Sequence, residues 1–224
     1  MKSNCTSLHR RLGVLMGLFC ALAWPLSADT VLSGSISQDS TLEASKSPYL
    51  VLSSFNINRG VTLTVPDGVM LQFSPGANLY VFGNLLASGA TFTSNQVQPE
   101  AGDWGRVYVG NGGDSAKITM TDCVLANFYG VEVRPRGTVN LVNTNVLNTE
   151  VDAFYLQQQS VLSMNGGSLE TNSSNAKSNY SAVNGSSSSL TTLDGVSIQG
   201  YQMGVEFNTG MQVNLAATTI TNCH

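Results

Sequence analysis

Apolar residues recur through the second half of the chain with a period of about 22 residues. Four stretches each contain a small or β-branched residue followed eight positions later by another apolar residue: GVEVRPRGTVNL from Gly130, DAFYLQQQSVLSM from Asp152, SAVNGSSSSLTTL from Ser181 and GVEFNTGMQVNL from Gly204. The segments before them align on Leu125, Leu147, Leu169, Ile198 and Ile220. Such a period predicts a solenoid, because no single turn can bury its own apolar face.

Within one turn the apolar anchors fall at Leu125, Val131 and Val139, which predicts three short strands. These runs are rich in Val, Thr, Asn and Gly and are too short for helices, which excludes helical repeats. Leucines are too irregularly spaced for a leucine-rich repeat, and the six-residue beat of a left-handed β-helix is missing. The predicted fold class is therefore all-β, a right-handed parallel β-helix with three strands and about 22 residues per turn.

The first residues differ in character from the rest. Lys2, Arg10 and Arg11 precede an apolar run at 12–22, and Ala28 offers a small residue for cleavage. We predict a signal peptide at 1–28, an N-terminal lead-in and cap at 29–60, and the β-helix at 61–224. The protein is then secreted or at the cell surface, with no membrane span after cleavage.

Charge and cysteines narrow the functional classes. The chain has 10 Lys and Arg against 14 Asp and Glu, and cleavage would remove three of the basic residues, so nucleic-acid binding is not expected. Cys123 and Cys223 differ in register and lie four turns apart, about 19 Å, which is too far for a disulfide. His9 and His224 are the two histidines, and no CxxC spacing occurs. The sequence therefore predicts no metal site and no cofactor.

Two features concern turns and loops. Asn127 and Asn222 share a register position, two residues after an apolar anchor, which predicts left-handed turn residues in equivalent corners. Polar insertions at 94–103 and around 170–180 lengthen individual turns, and they are predicted to leave the body as loops.

Residues 47–110 contain the motifs SPYLVLS, GVTLTV, SPGANLYVFGNLLASGATFTS and GDWGRVYVG. This segment resembles the opening turns of secreted bacterial right-handed β-helix proteins of the pectin-lyase-like superfamily. The resemblance implies an extracellular or cell-surface protein in a group that includes polysaccharide lyases, glycoside hydrolases, adhesins and non-enzymatic members. Arg106 stands where such proteins often have a second Gly. The Asn-x-Asp, Asp-Asp and Gly-His-Gly signatures of the hydrolases are absent, and Asp122, Asp152 and Asp194 occupy different registers, which argues against the calcium site of the lyases.

One charged face gives weak catalytic candidates. Glu132, Arg134 and Arg136 alternate with valines and are predicted to point outward. If Val131 stacks on Ala153, the Cβ atoms of Glu132 and Asp152 are roughly 7–8 Å apart, within the range of inverting glycosidases. Arg134 beside Glu132 favours an ordinary surface ion pair instead.

The ligand-binding candidates are Arg134, Arg136, Phe154, Trp104 and Tyr108. Phe154, with Leu156 and Val183, is predicted to form an outward apolar strip. Trp104 and Tyr108 could stack on a sugar or serve as structural aromatics. We predict a non-enzymatic scaffold for adhesion or for binding carbohydrate or a surface. The alternative is a polysaccharide-active enzyme or its substrate-binding portion.

The last turn begins at Ile220 and has no recognisable cap. Solenoids normally cover such a turn, so we predict either a truncated portion of a longer protein or self-association through this open turn.

Overall fold

The structure, a computed structural model, describes residues 30–111, 113, 115–172 and 180–223. Over these residues the chain winds into a parallel β-solenoid of about eight turns, with about 23 residues per turn. The prediction of a right-handed parallel β-helix is confirmed. The segment predicted as a signal peptide, 1–28, and residues 173–179 of the second polar insertion lie outside the described residues.

The described residues contain twenty-three strands, numbered in chain order, which form three faces that we call sheets 1 to 3. Sheet 1 contains β2 (Gly34–Ile36), β5 (Phe55–Ile57), β8 (Leu79–Val81), β11 (Trp104–Val109), β14 (Phe128–Val133), β16 (Phe154–Leu156), β18 (Ser181–Gly185) and β21 (Met203–Phe207). Sheet 2 contains β3 (Ser40–Thr41), β6 (Thr62–Val65), β9 (Asn84–Ser88), β12 (Lys117–Thr121), the first halves of β15 (Thr138–Leu147) and β17 (Val161–Glu170), β19 (Leu190–Asp194) and β22 (Gln212–Ala216). Sheet 3 contains β1 (Thr30–Val31), β4 (Tyr49–Val51), β7 (Met70–Phe73), β10 (Thr91–Ser94), β13 (Val124–Ala126), the second halves of β15 and β17, β20 (Ser197–Gln199) and β23 (Thr219–Thr221).

Residues 30–57, predicted as the lead-in, supply β1 to β5, which already pair within the same three sheets. One 3-10 turn, Ala44–Lys46, lies between β3 and β4. The insertion at 94–103 connects β10 in sheet 3 to β11 in sheet 1, so this loop leaves the body beside sheet 1.

A single apolar core fills the inside of the solenoid. Alternate residues of each strand point inward, and each stacks on its counterpart in the next turn, so the core consists of columns parallel to the helix axis. Trp104 lies between Phe73 and Phe128, with ring centroids 4.0 and 5.2 Å away, and donates from Nε1 to the carbonyl of Ala126 at 2.9 Å. Trp104 is therefore structural, and its predicted use in sugar stacking is wrong.

The predicted register was wrong by one residue in the middle turns. Val131 pairs with Phe154 and not with Ala153, and Phe154 pairs with Val183. Since a shift of one residue moves a side chain to the other side of the sheet, Phe154, Leu156 and Val183 are buried in the core. The predicted outward apolar strip does not exist. Anchors in the other two sheets are also displaced by one residue. Val146, and not Leu147, pairs with Leu125 and with Leu169, while Leu162 pairs with Val139 and with Thr191.

The corner between sheets 3 and 1 contains the predicted left-handed asparagines. Asn127 has φ 63° and Asn222 has φ 51°. Asn148, which the sequence analysis did not single out, has φ 52° and donates from its amide nitrogen to Oδ1 of Asn127 at 3.2 Å. Asparagine tolerates this backbone region and can bond the next turn, so these residues stabilise successive corners.

The two cysteines within the described residues, Cys123 and Cys223, are free thiols, as predicted. Cys123 is buried, and burial raises the pKa of its thiol. Cys223 lies in the last described turn, and partial burial also raises the pKa of its thiol.

Val131→Asp is expected to unfold the solenoid. The side chain of Val131 is buried between Val107 and Phe154, so an aspartate would lose its hydration without a partner, at a cost of several kcal/mol against a stability of about 5–15 kcal/mol. Circular dichroism and thermal melting measure the effect. Asn140→Asp, which adds the same charge on an outward position of β15, is the control and should melt close to the parent. A Val131→Asp variant that melts like the parent would show that Val131 does not lie in a buried column between Val107 and Phe154.

Thr191→Val is expected to stabilise the protein by about 1–3 kcal/mol, the cost of a buried polar group without a partner. Thr191 is fully buried in the core column after Leu162, and its hydroxyl has no hydrogen-bond partner. The matched control is Thr149→Val, because the buried Thr149 hydroxyl donates to the Val151 carbonyl at 2.9 Å and lies 3.0 Å from the Tyr201 hydroxyl. The denaturant concentration at the unfolding midpoint should rise for Thr191→Val and fall for Thr149→Val. A loss of stability in Thr191→Val would contradict the finding that the Thr191 hydroxyl is buried without a partner.

Candidate functional site

The outward face of sheet 1 carries most of the chemistry that the sequence analysis anticipated. Side chains that point outward from successive strands form one ladder along the helix axis, because parallel register places each directly over the next. The ladder runs through Asn56, Tyr80, Tyr108, Glu132, Tyr155, Asn184 and Glu206.

Glu132 is at the centre of a cluster of charges on this ladder. Its Oε2 accepts from the guanidinium of Arg106 at 3.1 Å, and its Oε1 accepts from Nε of Arg134 at 3.1 Å. Gln157 adds a third bond, from Nε2 to Oε1 at 2.9 Å. All three charged side chains are largely shielded from solvent, so these charge-assisted bonds hold the carboxylate in one orientation.

Aromatic rings flank this cluster and stack with its arginines. Tyr80 and Tyr108 stack with centroids 4.9 Å apart and nearly parallel planes. Arg134 lies over the Tyr108 ring, with its Cζ 4.4 Å from the centroid, and Arg106 lies over the Tyr129 ring at 4.7 Å. Guanidinium groups in this position attract the ring faces, so the tyrosines and arginines fix one another.

A shallow groove of about 410 Å³ opens beside this array. It is lined by Gly76, Asn78, Gly105, Arg106, Tyr108 and Tyr129. Asn78 accepts from the backbone N–H of Arg106 at 2.8 Å through Oδ1, and a Cβ at position 105 would collide with that side chain. Glycine at 105 therefore leaves room for Asn78 and keeps this part of the groove open. Tyr129 is 40% exposed and presents its ring at the edge.

A second polar cluster lies further along the same face. Asp152 accepts from the backbone N–H of Ser181 at 2.7 Å and from Nδ2 of Asn184 at 3.1 Å. Glu206 accepts from the Ser181 hydroxyl at 3.1 Å. Burial raises the pKa of Asp152, and the charge of Glu206 adds to this, while the bonds from Ser181 and Asn184 and the charge of Arg106 oppose it.

The predicted Glu132 and Asp152 pair is not formed in the register assumed. Glu132 lies opposite Tyr155, and Asp152 comes three residues before Tyr155, ahead of β16. The two carboxylates belong to different hydrogen-bonded clusters, because Glu132 binds Arg106, Arg134 and Gln157 and Asp152 does not. The separation derived from stacking Val131 on Ala153 therefore does not apply.

The other predicted residues are divided between the site and the scaffold. Tyr108 and Arg134 lie together beside the groove, although Arg134 follows the last residue of β14. Arg136 is exposed, has φ 66°, and lies in the tight turn that follows β14, not on the strand. Phe154 is buried in the core.

Sequence analysis did not identify Asn78, Tyr80, Tyr129 and Gln157 as site residues, and it noted Arg106 without assigning it a partner. A signal was available for one of them, Tyr80. Tyr80 and Tyr108 each lie between two apolar residues of a short strand, in LYV and VYV, and such matching triplets place two tyrosines in one column.

Two features are missing from the residues that the structure describes. In that part of the chain, His, Cys, Asp and Glu side chains form no group of three or more that could hold a metal ion. Nor do these residues include a helix with the length and apolar character needed to span a bilayer.

Comparison with known proteins adds no relative to this description. No protein-family model, no curated protein and no solved structure matches the chain.

Replacing Asp152 by asparagine is expected to change how stability depends on pH. The pKa of Asp152 is raised in the folded protein, so its ionised form costs folding free energy once the pH rises above about 4, where the unfolded carboxyl loses its proton. The variant lacks this cost. The free energy of unfolding of Asp152→Asn relative to the parent should therefore increase between about pH 3 and pH 7. Changes in hydrogen bonding caused by the substitution would shift the free energy of unfolding by the same amount at every pH. If the curves of unfolding free energy against pH were parallel for variant and parent, the raised pKa of Asp152 would be contradicted.

Proposed function

We propose that this chain is a secreted or cell-surface β-helix of the pectin-lyase-like kind that binds carbohydrate without transforming it, and that binding serves adhesion. The observation that supports this most directly is the groove on sheet 1, where the exposed ring of Tyr129 lies next to Arg106 and Asn78. A pyranose ring has apolar C–H faces and hydroxyls around its edge. An aromatic face with a guanidinium and an amide beside it matches both parts.

The position of this groove on sheet 1 favours a long ligand over a small one. The groove is open on one side and continues into the ladder of sheet 1, where Tyr80 stacks on Tyr108. A polymer could lie along such a face and contact several turns, whereas a small molecule would bury little of its surface. The proposal of secretion rests on the basic and apolar segment at 1–28, and that of superfamily membership on the solenoid and the motifs at 47–110.

Binding is favoured over catalysis by the state of Glu132. A general acid or base needs a carboxyl oxygen within reach of the substrate proton. Both oxygens of Glu132 already accept hydrogen bonds, from Arg106, Arg134 and Gln157. Such a carboxylate suits the role of orienting the arginines.

The alternative, a polysaccharide-active enzyme, is favoured by one observation. Asp152 and Glu206 are two carboxylates linked through Ser181, and the pKa of Asp152 is raised by burial. Glycosidases use such a pair when one carboxyl is kept protonated as the acid. We rank this second because both carboxylates are occupied by bonds to their own neighbours.

Tyr129→Ala is expected to weaken binding to a responsive polysaccharide about three- to tenfold, the effect of losing one aromatic contact of about 0.5–1.5 kcal/mol. Affinity electrophoresis against neutral and uronate polysaccharides measures it. The matched control is Leu86→Ala, since Leu86 is 42% exposed on β9 of sheet 2 and lies neither in the groove nor on the sheet 1 ladder. Equal losses in both variants, or no binding by the parent to any polymer, would refute the proposed site.

The choice between binding and catalysis is tested by product release from the same polysaccharides. We expect none from the parent protein. If release is detected, Glu132→Gln and Asp152→Asn are expected to leave its rate unchanged. A fall of more than about a hundredfold in kcat in either variant, the scale of lost general acid–base catalysis, would establish the enzyme alternative.

A further inference from the structure

The charges beside the groove on sheet 1 are arranged around one carboxylate. Among the described residues that line the groove, the charged side chain is that of Arg106. Glu132 accepts a bond from this guanidinium at 3.1 Å and another from Arg134, also at 3.1 Å. The exposed fractions of the three side chains are 19%, 16% and 30% for Arg106, Glu132 and Arg134. Because little water reaches these pairs, the negative charge of Glu132 acts strongly on both arginines.

A second carboxylate shares the charge of Arg106. Burial raises the pKa of Asp152, and the charge of Arg106 opposes that rise, so the two groups interact across this face. Two guanidinium groups beside the groove are therefore balanced by two carboxylates. Arg136, the third arginine of this region, is exposed in the turn after β14 and does not line the groove.

The arginine in the groove keeps hydrogen-bond donors although its charge is balanced. A guanidinium group has five N–H donors in one plane, and Arg106 uses Nη1 for its bond to Glu132. Its Cζ lies 4.7 Å from the centroid of the exposed Tyr129 ring. The remaining donors can bond hydroxyl oxygens of a sugar that packs on this ring. Such contacts need no net positive charge, so they suit a neutral ligand.

A ligand with many negative charges meets a less favourable environment. A carboxylate bonded to Arg106 would lie close to the carboxylate of Glu132, and like charges held this close repel. The chain as a whole has 14 acidic residues against 10 basic ones, a net charge of −4. This excess of negative charge also opposes the approach of a polyanion.

We propose that Glu132 determines the ligand class of the groove and restricts it to neutral polysaccharides. This inference rests on the proposed function and names the kind of glycan that is bound. Glu132 acts through Arg106 and Arg134 and not by touching the ligand, so it is a positioning residue. Without its charge, both guanidinium groups would be available to uronate carboxylates, which match them in shape.

Matched pairs of polymers test the ligand class. Polygalacturonate, alginate and hyaluronan are each compared with a carboxyl-reduced derivative, which has the same linkages and no charge. Soluble cellulose and galactan are compared with derivatives oxidised at C6 to uronates. In affinity electrophoresis, we expect the parent to bind the neutral member of a pair at least about tenfold more tightly than the acidic member. Binding to the neutral member should change little between about 20 and 200 mM NaCl.

Glu132→Gln is expected to reverse this preference. The substitution removes the charge and keeps the size of the side chain, so affinity for the acidic polymer should rise at least about tenfold and fall steeply with added salt. Glu132→Ala tests the same point if Glu132→Gln melts early, and Glu132→Asp, which keeps the charge, should retain the parental preference. A residue that merely supported the local structure would instead weaken binding to both members of a pair in all three variants.

The matched control is Asp194→Asn. Asp194 is exposed at the end of β19 on sheet 2, away from the groove and from the sheet 1 ladder. This variant has the same net charge as Glu132→Gln, so it measures the effect of net charge alone. It should bind both members of each pair like the parent.

Three outcomes would overturn the role of Glu132 while leaving the glycan groove in place. The parent could bind acidic polymers as tightly as their neutral counterparts, Glu132→Gln could fail to gain affinity for acidic polymers, or Asp194→Asn could gain as much. In each case Tyr129→Ala would still weaken binding. A parent that binds none of these polymers would refute the proposed function, and this inference with it.

Discussion

Parallel pairing between successive turns is the constraint on which the rest of the structure depends. Each residue lies about 4.8 Å from its counterpart in the next turn, and alternate residues face opposite sides of the sheet. Inward positions are then apolar in most turns, with exceptions such as Thr191, while outward positions can vary from one turn to the next. The core columns and the sheet 1 ladder follow from this single rule. Because the groove beside Tyr108 is formed by outward side chains, it places no additional constraint on the core columns.

Much of the fold could be predicted from the sequence because the constraint leaves a period in the apolar residues. The number of strands per turn and the left-handed corner at Asn127 were predicted for the same reason. In sheet 1 the register failed where the chain bends into the sheet. Ala153 and Phe154 are both buried, as are Ala182 and Val183, so strict alternation breaks there and the small residue was taken for the strand position. Periodicity alone does not say which of two adjacent buried residues pairs with the next turn.

The candidate site was predicted in part, and the limit has a physical cause. Outward positions of β14 follow directly from the alternation around Val131 and Val133, so Glu132 and Arg134 were placed on the surface. Two of the three partners of Glu132, Arg106 and Gln157, come from other turns. Arg106 reaches it from β11 in the preceding turn, and its contact with Tyr129 depends on side-chain direction. Neither contact has a signature in the spacing of residues.

The chemistry of sheet 1 changes along the helix axis, and this bears on how a polysaccharide of the kind proposed above would lie on it. Aromatic rings and arginines occupy the turns from Tyr80 to Glu132, and carboxylates and amides occupy those from Asp152 to Glu206. A polymer lying along one strand would meet one or two of these side chains, whereas one lying along the axis would meet a different group every 4.8 Å or so. Only the second orientation lets the face distinguish one end of a chain from the other. Since each turn contributes one residue to each column, substitutions in a single turn could alter that preference while the core columns beneath remain intact.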